Sequence, residues 1–281
     1  MPPDYKIKFW EELTMNNKGI KFNKKQYISR NEMLSDMFDN CQIGLDDTFE
    51  TSCRHCYGCC TYKDAVPMSA YDIFRCAKEL NMSTVDFIKQ YCWITIGETS
   101  LLPVLQLKND PKLNKCVLLK NGVCKAGNSR PTTCALFPLG RFVKIDETNG
   151  EKKMGYIFNG DNGCRKARSY TVREWLETNG MSPDDKIFFL WAELVEYASE
   201  MMKKIQPYDV GKETLNLFHQ TLIHQMYAEY DTNKNFIDQL IKNTETIKNA
   251  FDPVPQMIHK EYCKYYGHAP KENWEDDSNE K

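Results

Sequence analysis

Four thiols fall within eight residues of this chain, Cys53, Cys56, Cys59 and Cys60, in the order C-x2-C-x2-C-C. A segment this short cannot bury four separated apolar thiols. It can turn back on itself and point several sulfurs inward at a soft metal ion. Cysteines three apart, such as Cys53/Cys56 and Cys56/Cys59, converge on one metal in zinc knuckles and iron–sulfur loops. Cys59 and Cys60 are adjacent, so their side chains diverge and can serve two centres. Four further cysteines stand near turn formers. Cys116 and Cys124 bracket a knuckle containing Asn121-Gly122, Cys134 follows Arg130-Pro-Thr-Thr, and Cys164 follows Asn162-Gly163. Eight thiols suffice for two four-cysteine sites, or for one cluster and one ion.

The remaining candidates are weaker. Cys76 and Cys92 fall within helical patterns away from any paired cysteine, and read as small buried hydrophobes. His55 lies between two cysteines, and His259-x3-Cys263 would share one helix face as an isolated pair. Four thiolates around Zn²⁺ or a [4Fe–4S] core leave a local charge of about −2 to be offset. Arg54, Arg130, Arg141, Arg165, Lys166 and Arg168 are near enough in sequence to do so.

The run from Phe49 through Cys53-x2-Cys56-x2-Cys59-Cys60, then Cys116, Cys124 and Arg130-Pro131-x2-Cys134-x2-Phe137-Pro138, resembles the YkgJ-type cysteine-cluster family of zinc- or iron-chelating domains. The resemblance covers residues 49–165 and implies an intracellular metal-binding domain. It implies Cys53, Cys56, Cys59, Cys60, Cys116, Cys124 and Cys134 as ligands, with Cys164 the counterpart of a later family cysteine, and Arg130, in the family's Arg-Pro pair, in a structural role or behind the thiolates. Ala135 departs from the arginine that relatives commonly carry after the third-motif cysteine. Some relatives bear the name iron–sulfur oxidoreductase.

The elements that must position these residues can be read from capping signals and periodicity. Ser69-Ala-Tyr-Asp72 and Ser83-Thr-Val-Asp86 open two helices, the first with apolar positions at Ile73, Phe74, Ala77 and Leu80. Glycines and Asn-Gly pairs punctuate short apolar runs over residues 115–168, which predicts loops and short strands wrapped around something other than a large apolar core. Thr171-Val-Arg-Glu174 is a capping box, and Ser182-Pro-Asp-Asp185 caps a helix over Lys186–Lys204. Further helices are expected over Lys212–Tyr230 and Asn233–Ala250, and another around Asn31–Phe38.

The expected fold is therefore α+β and helix-dominated, with an irregular cysteine-rich metal-binding core, short strands and a helical C-terminal extension. Its expected divisions are residues 1–48 as an N-terminal extension on the core, 49–168 as the cysteine-cluster domain, 169–270 as the helical region and 271–281 as a frayed tail. With 37 basic and 39 acidic residues the formal charge is −2, which argues against a general affinity for nucleic acid. No apolar leader or membrane span is read, and bunched cysteines fit thiolate ligands in the cytoplasm. Phosphate-loop, dinucleotide, zinc-protease and nucleophile-elbow motifs are missing. The expected function is a cytoplasmic protein with cysteine-ligated iron–sulfur clusters, [4Fe–4S] in type, in a redox or regulatory role with a protein redox partner. The alternatives are a structural zinc module and a metal-dependent enzyme such as an iron–sulfur oxidoreductase.

Overall fold

The computed structural model describes residues 41–51, 58–62, 66–110, 115–145, 152–158, 168–208 and 210–270. The helix expected around Asn31–Phe38 and the Asn-Gly turns at 159–163 lie outside them. The fold is α+β, with short antiparallel strands in its first half and a helical C-terminal extension.

Strands β1 (Gln42–Ile43) and β2 (Thr48–Thr51) lead into α1, a single turn over Cys59–Tyr62. Helix α2 (Ala70–Glu79) starts at a complete capping box, in which Ser69 and Asp72 satisfy each other's backbone N–H. Its buried stripe is Ala70, Ile73, Phe74 and Ala77, the spacing of one helical face. Helix α3 (Thr84–Tyr91) is capped by Ser83 and buries Phe87, Ile88 and Tyr91. It runs directly into β3 (Cys92–Ile96), which pairs antiparallel with β4 (Pro103–Leu107) in the register Cys92↔Leu107 and Ile94↔Leu105. The inward residues of β4 alternate, as a half-buried strand requires.

Two small hairpins follow, β5 (Asn109–Asp110) with β6 (Lys115–Cys116), and β7 (Leu119–Lys120) with β8 (Val123–Cys124). Asn121 and Gly122 both take positive φ, 53° and 74°, in the two-residue turn between β7 and β8. Helix α4 (Thr132–Leu136) precedes β9 (Leu139–Ile145), and β9 pairs with β10 (Lys152–Phe158), whose other edge carries β1. Gly155 sits opposite Phe142 in that ladder, and a Cβ there would meet the ring at 2.5 Å. Strand β11 (Arg168–Thr171) pairs with β2, and α5 (Val172–Thr178) begins at the Thr171–Glu174 capping box.

The C-terminal helices are α6 (Lys186–Ile205, capped by Asp185), α7 (Lys212–Ile223) and, after one π-helical turn at His224–Ala228, α8 (Phe236–Phe251). Helix α9 (Val254–Tyr266), which the periodicity did not predict, ends at Gly267 in the left-handed region. Helix α6 buries Leu194, Ala198, Met201, Met202 and Ile205 on one stripe.

Two apolar clusters hold these elements together. The larger joins α2, α3, β3 and β4 to α6, α7 and α8, through residues such as Phe87, Ile88, Leu105, Leu194, Leu222 and Leu240. Burying each such side chain contributes about 1.5–3 kcal/mol. The smaller packs Phe49, Leu136, Leu139, Tyr156, Val172, Trp175 and Leu176 around the indole of Trp175, whose Nε1 donates to the Leu136 carbonyl at 2.9 Å. The irregular cysteine-rich core expected from the sequence is thus corrected. Leu118 and Ala126, in the cysteine-bearing hairpins, belong to the larger apolar cluster, and Cys116, Cys124 and Cys134 pack against it. The glycine-punctuated runs are short because they are tight hairpins draped on an apolar core.

Asp72 connects this core to the segment after the hairpins. Only 3 % exposed, it accepts through Oδ1 from the Thr132 N–H (2.8 Å), the Thr132 hydroxyl (2.7 Å) and Arg75 (3.0 Å). Its Oδ2 accepts from the Ser69 N–H and hydroxyl. Arg75 also donates to the Arg130 carbonyl at 3.1 Å. One turn on, the Cys76 thiol donates to the Ser129 carbonyl. Removing the carboxylate strands several buried donors at once. Asp72→Ala is expected to lower unfolding free energy by about 3–5 kcal/mol in urea titrations. By contrast, Glu79→Ala, at an exposed position bonding Ser129, should stay within about 0.5 kcal/mol. Equal losses for the two variants would remove Asp72 from its central place.

Candidate thiol site

Five of the eight cysteines singled out by spacing are drawn toward one region. Cys59 and Cys60 ride on α1, which packs against β6, where Cys116 ends the strand. Cys124 closes the neighbouring hairpin, and Cys134 sits in the first turns of α4. All five are half-buried thiols. Cys53, Cys56 and Cys164 lie outside the described residues, as do Arg54, His55, Arg165 and Lys166.

The electrostatics tie the thiols to one another. The Cys60 pKa is pushed far up, first by its hydrogen bond to Cys59, then by burial, then by charge on Cys59, Cys116 and Cys134. The Cys60 thiol is therefore hard to ionise. Burial also pushes Cys116 up, aided by charge on Cys124 and Cys59, while the N–H groups of Leu118 and Leu119 favour its thiolate. The other core cysteines are different in kind. Cys92 is fully buried, and burial raises it to about 12. Cys76 is likewise raised by burial, with the Asp72 charge adding to the shift and Arg75 opposing it.

Proximity of charge is not coordination. Thiols sense one another over several ångströms, whereas a zinc ion with Zn–S bonds of about 2.3 Å needs sulfurs about 4 Å apart in a tetrahedron. Among the described residues, no group of three or more His, Cys, Asp or Glu side chains is arranged to hold a metal ion. Apart from Cys59 and Cys60, which share α1, the five described thiols belong to separate elements. This finding corrects the expectations of a [4Fe–4S] cluster, of a four-cysteine zinc module, of an iron–sulfur oxidoreductase or other metal-dependent enzyme, and of membership in the YkgJ-type family.

Arg130, the residue expected behind the thiolates, is engaged with the end of α5. Its guanidinium donates to the Asn179 side chain at 2.8 Å, tying the segment before α4 to the end of α5. Arg141 pairs with Asp185 at 2.7 Å and lies over the Phe188 ring at 3.9 Å, so it serves the start of α6.

A separate cleft of about 750 Å³ is lined by the β3–β4 loop and by α6, with Glu98, Ser100, Lys152, Phe188, Glu196 and Lys203 on its walls. Lys152 bonds Glu196 at 3.1 Å and Lys203 bonds Glu200 at 3.1 Å, so both cations are paired within the protein. The cleft's loop is clamped from behind. Leu101 takes a φ of 60°, and its carbonyl accepts from His219 Nε2 at 3.1 Å. This histidine gave no signal in the sequence, because its partner is a backbone atom 118 residues away.

Scans against protein-family models, curated proteins and solved structures found no match for this chain. Among the described residues, no helix is long and apolar enough to cross a membrane.

His219 supplies a pH test of the clamp. Burial lowers its pKa from the ordinary 6.5, partly opposed by the bond to Leu101. A depressed histidine stays neutral when folded but takes up a proton when unfolded. Its contribution is complete above 6.5 and is lost as pH falls from there toward the folded value. Urea midpoints should therefore fall more steeply for the wild type than for His219→Gln between about pH 7 and about pH 5.5. Parallel curves would mean that His219 titrates alike in both states.

Proposed function

We propose that this chain is a thiol-redox-responsive protein, in which neighbouring thiols among Cys59, Cys60, Cys116, Cys124 and Cys134 convert to disulfides under oxidation. The packing of α1, which carries Cys59 and Cys60, against β6, which ends in Cys116, is the observation that carries this reading. Thiols held this near one another need little movement to join. Joining two thiols releases two protons and two electrons, which a peroxide or a small disulfide takes up. Cys60 is a poor attacker while protonated.

The location favours a consequence for the fold. Cys116, Cys124 and Cys134 pack on the larger apolar cluster, while Leu136, two residues beyond Cys134, packs in the smaller one. A bond from α1 to β6 or α4 would tie α1 to elements that pack on the larger cluster. Thiols that cycle with disulfides fit a reducing compartment such as the cytoplasm, with a protein reductant as the redox partner. A near-neutral overall charge gives no reason to expect general nucleic-acid binding.

The test is peptide-resolved. The reduced full chain is treated with graded diamide, alkylated, digested without reductant and mapped by mass spectrometry. Disulfide-linked peptides joining Cys59 or Cys60 to Cys116, Cys124 or Cys134 are expected while buried Cys76 and Cys92 remain thiols. If these five remain alkylatable after exposed Cys41 has been oxidised, the reading fails.

A further inference from the structure

Far from the thiol seam in sequence, α9 carries a second arrangement built around one sulfur. His259 and Cys263 are four residues apart on this helix and therefore share a face. Cys263 Sγ lies 3.6 Å from His259 Nε2, a sulfur–nitrogen hydrogen-bonding distance. The opposite ring nitrogen, Nδ1, lies 2.9 Å from the Tyr208 hydroxyl. Tyr208 sits in the 3-10 turn Gln206–Tyr208 that follows α6, so the imidazole is held from a second element. The rings support that placement, Tyr208 meeting His259 edge-on at 6.0 Å and Tyr262 at 5.6 Å.

The order of atoms matters. One ring nitrogen faces the thiol and the other is occupied, so a proton leaving sulfur has a single ring position to enter. After transfer, the imidazolium donates from Nε2 to the thiolate and from Nδ1 to the tyrosine oxygen. Both hydrogen bonds survive without movement of a heavy atom. This is the nucleophile–base–orienter arrangement of activated thiols, read from geometry alone. The site is also open. Cys263 is half-exposed and His259 is exposed, with Tyr265 and Tyr266 of the same helix 82 % and 56 % exposed.

We propose that Cys263 is a reactive nucleophilic thiol, activated by His259, that exchanges with low-molecular-weight disulfides to form a mixed disulfide. His259 Nε2 takes the Sγ proton, and Sγ attacks one sulfur of the small disulfide as the S–S bond breaks. The departing thiolate then takes the proton from Nε2. One disulfide is consumed, one mixed disulfide forms and one thiol leaves, with no net change in oxidation. This site lies beyond the seam thiols proposed above, and a peptide-resolved readout separates the two.

The test uses the full reduced chain and glutathione disulfide, with acid-quenched time points mapped by peptide mass. Exposed Cys41, to which no imidazole is bonded among the described residues, is the internal reference. The Cys263 peptide should gain the glutathione mass about tenfold faster than the Cys41 peptide, since general-base help is worth at least this much. His259→Gln should bring the two rates together, and added imidazole should restore part of the difference in His259→Ala. Equal rates for Cys263 and Cys41 in the wild type, or a Cys263 rate unchanged in His259→Gln, would overturn the proposal.

Discussion

The carboxylate of Asp72 is the constraint on which the cysteine-bearing half depends. It serves first as the capping residue of α2, a local role that any helix start can ask of an aspartate. Its second oxygen is then free of that duty and reaches Thr132, sixty residues on. Burial makes the arrangement all-or-none, because an acceptor-only group with five donors around it tolerates no missing partner. The segment from Arg130 to Cys134 is therefore fixed by hydrogen bonds to α2 rather than by a large apolar face of its own. Cys76 extends the same seam by one turn, its thiol acting as a donor to Ser129.

From that fixed segment the chain passes between the two apolar clusters. Arg130 binds Asn179 at the end of α5, and the Leu136 carbonyl receives the Trp175 indole. Helix α4 is consequently held on both sides within five residues. The larger cluster shows the same economy elsewhere. Thr84, at the start of α3, donates at 2.6 Å to the carbonyl of Ala228, and Tyr227 donates to the carbonyl of Pro103. Buried backbone carbonyls at the π-helical turn and at β4 thus find partners that regular secondary structure does not supply.

Local signals were legible in the sequence wherever the physics was local. Ser69, Ser83 and Thr171 cap helices as their spacing predicts, and Asn121-Gly122 makes its hairpin turn. The start of α6 was legible in outline, although Asp185 rather than Ser182 is the cap. Helix α9 escaped notice because it buries no side chain fully, so its apolar period is faint. The cysteine spacing misled for a related reason. A C-x2-C-x2-C-C string states which sulfurs are close along the chain, but convergence depends on where β6, β8 and α4 carry their own cysteines. Those positions follow from Asp72, Arg130 and the two clusters, all of them long-range contacts that spacing does not encode.

The cysteines also show how one side chain acquires three characters from its surroundings. Cys76 and Cys92 are enclosed by apolar neighbours, where ionisation is opposed and the sulfur acts as packing material with, for Cys76, a weak donor bond. At the seam, burial is partial and the neighbours are other thiols, so ionisation of one is opposed by the next and the group behaves as a set. On α9 the sulfur is half-exposed and meets an imidazole already held by a tyrosine. Desolvation dominates the first case, a thiol–thiol hydrogen bond and burial lead the second with like charge behind them, and the third has a base within hydrogen-bonding reach. Thiol chemistry in this chain is thus allotted by packing, with reactivity confined to the places where the apolar clusters end.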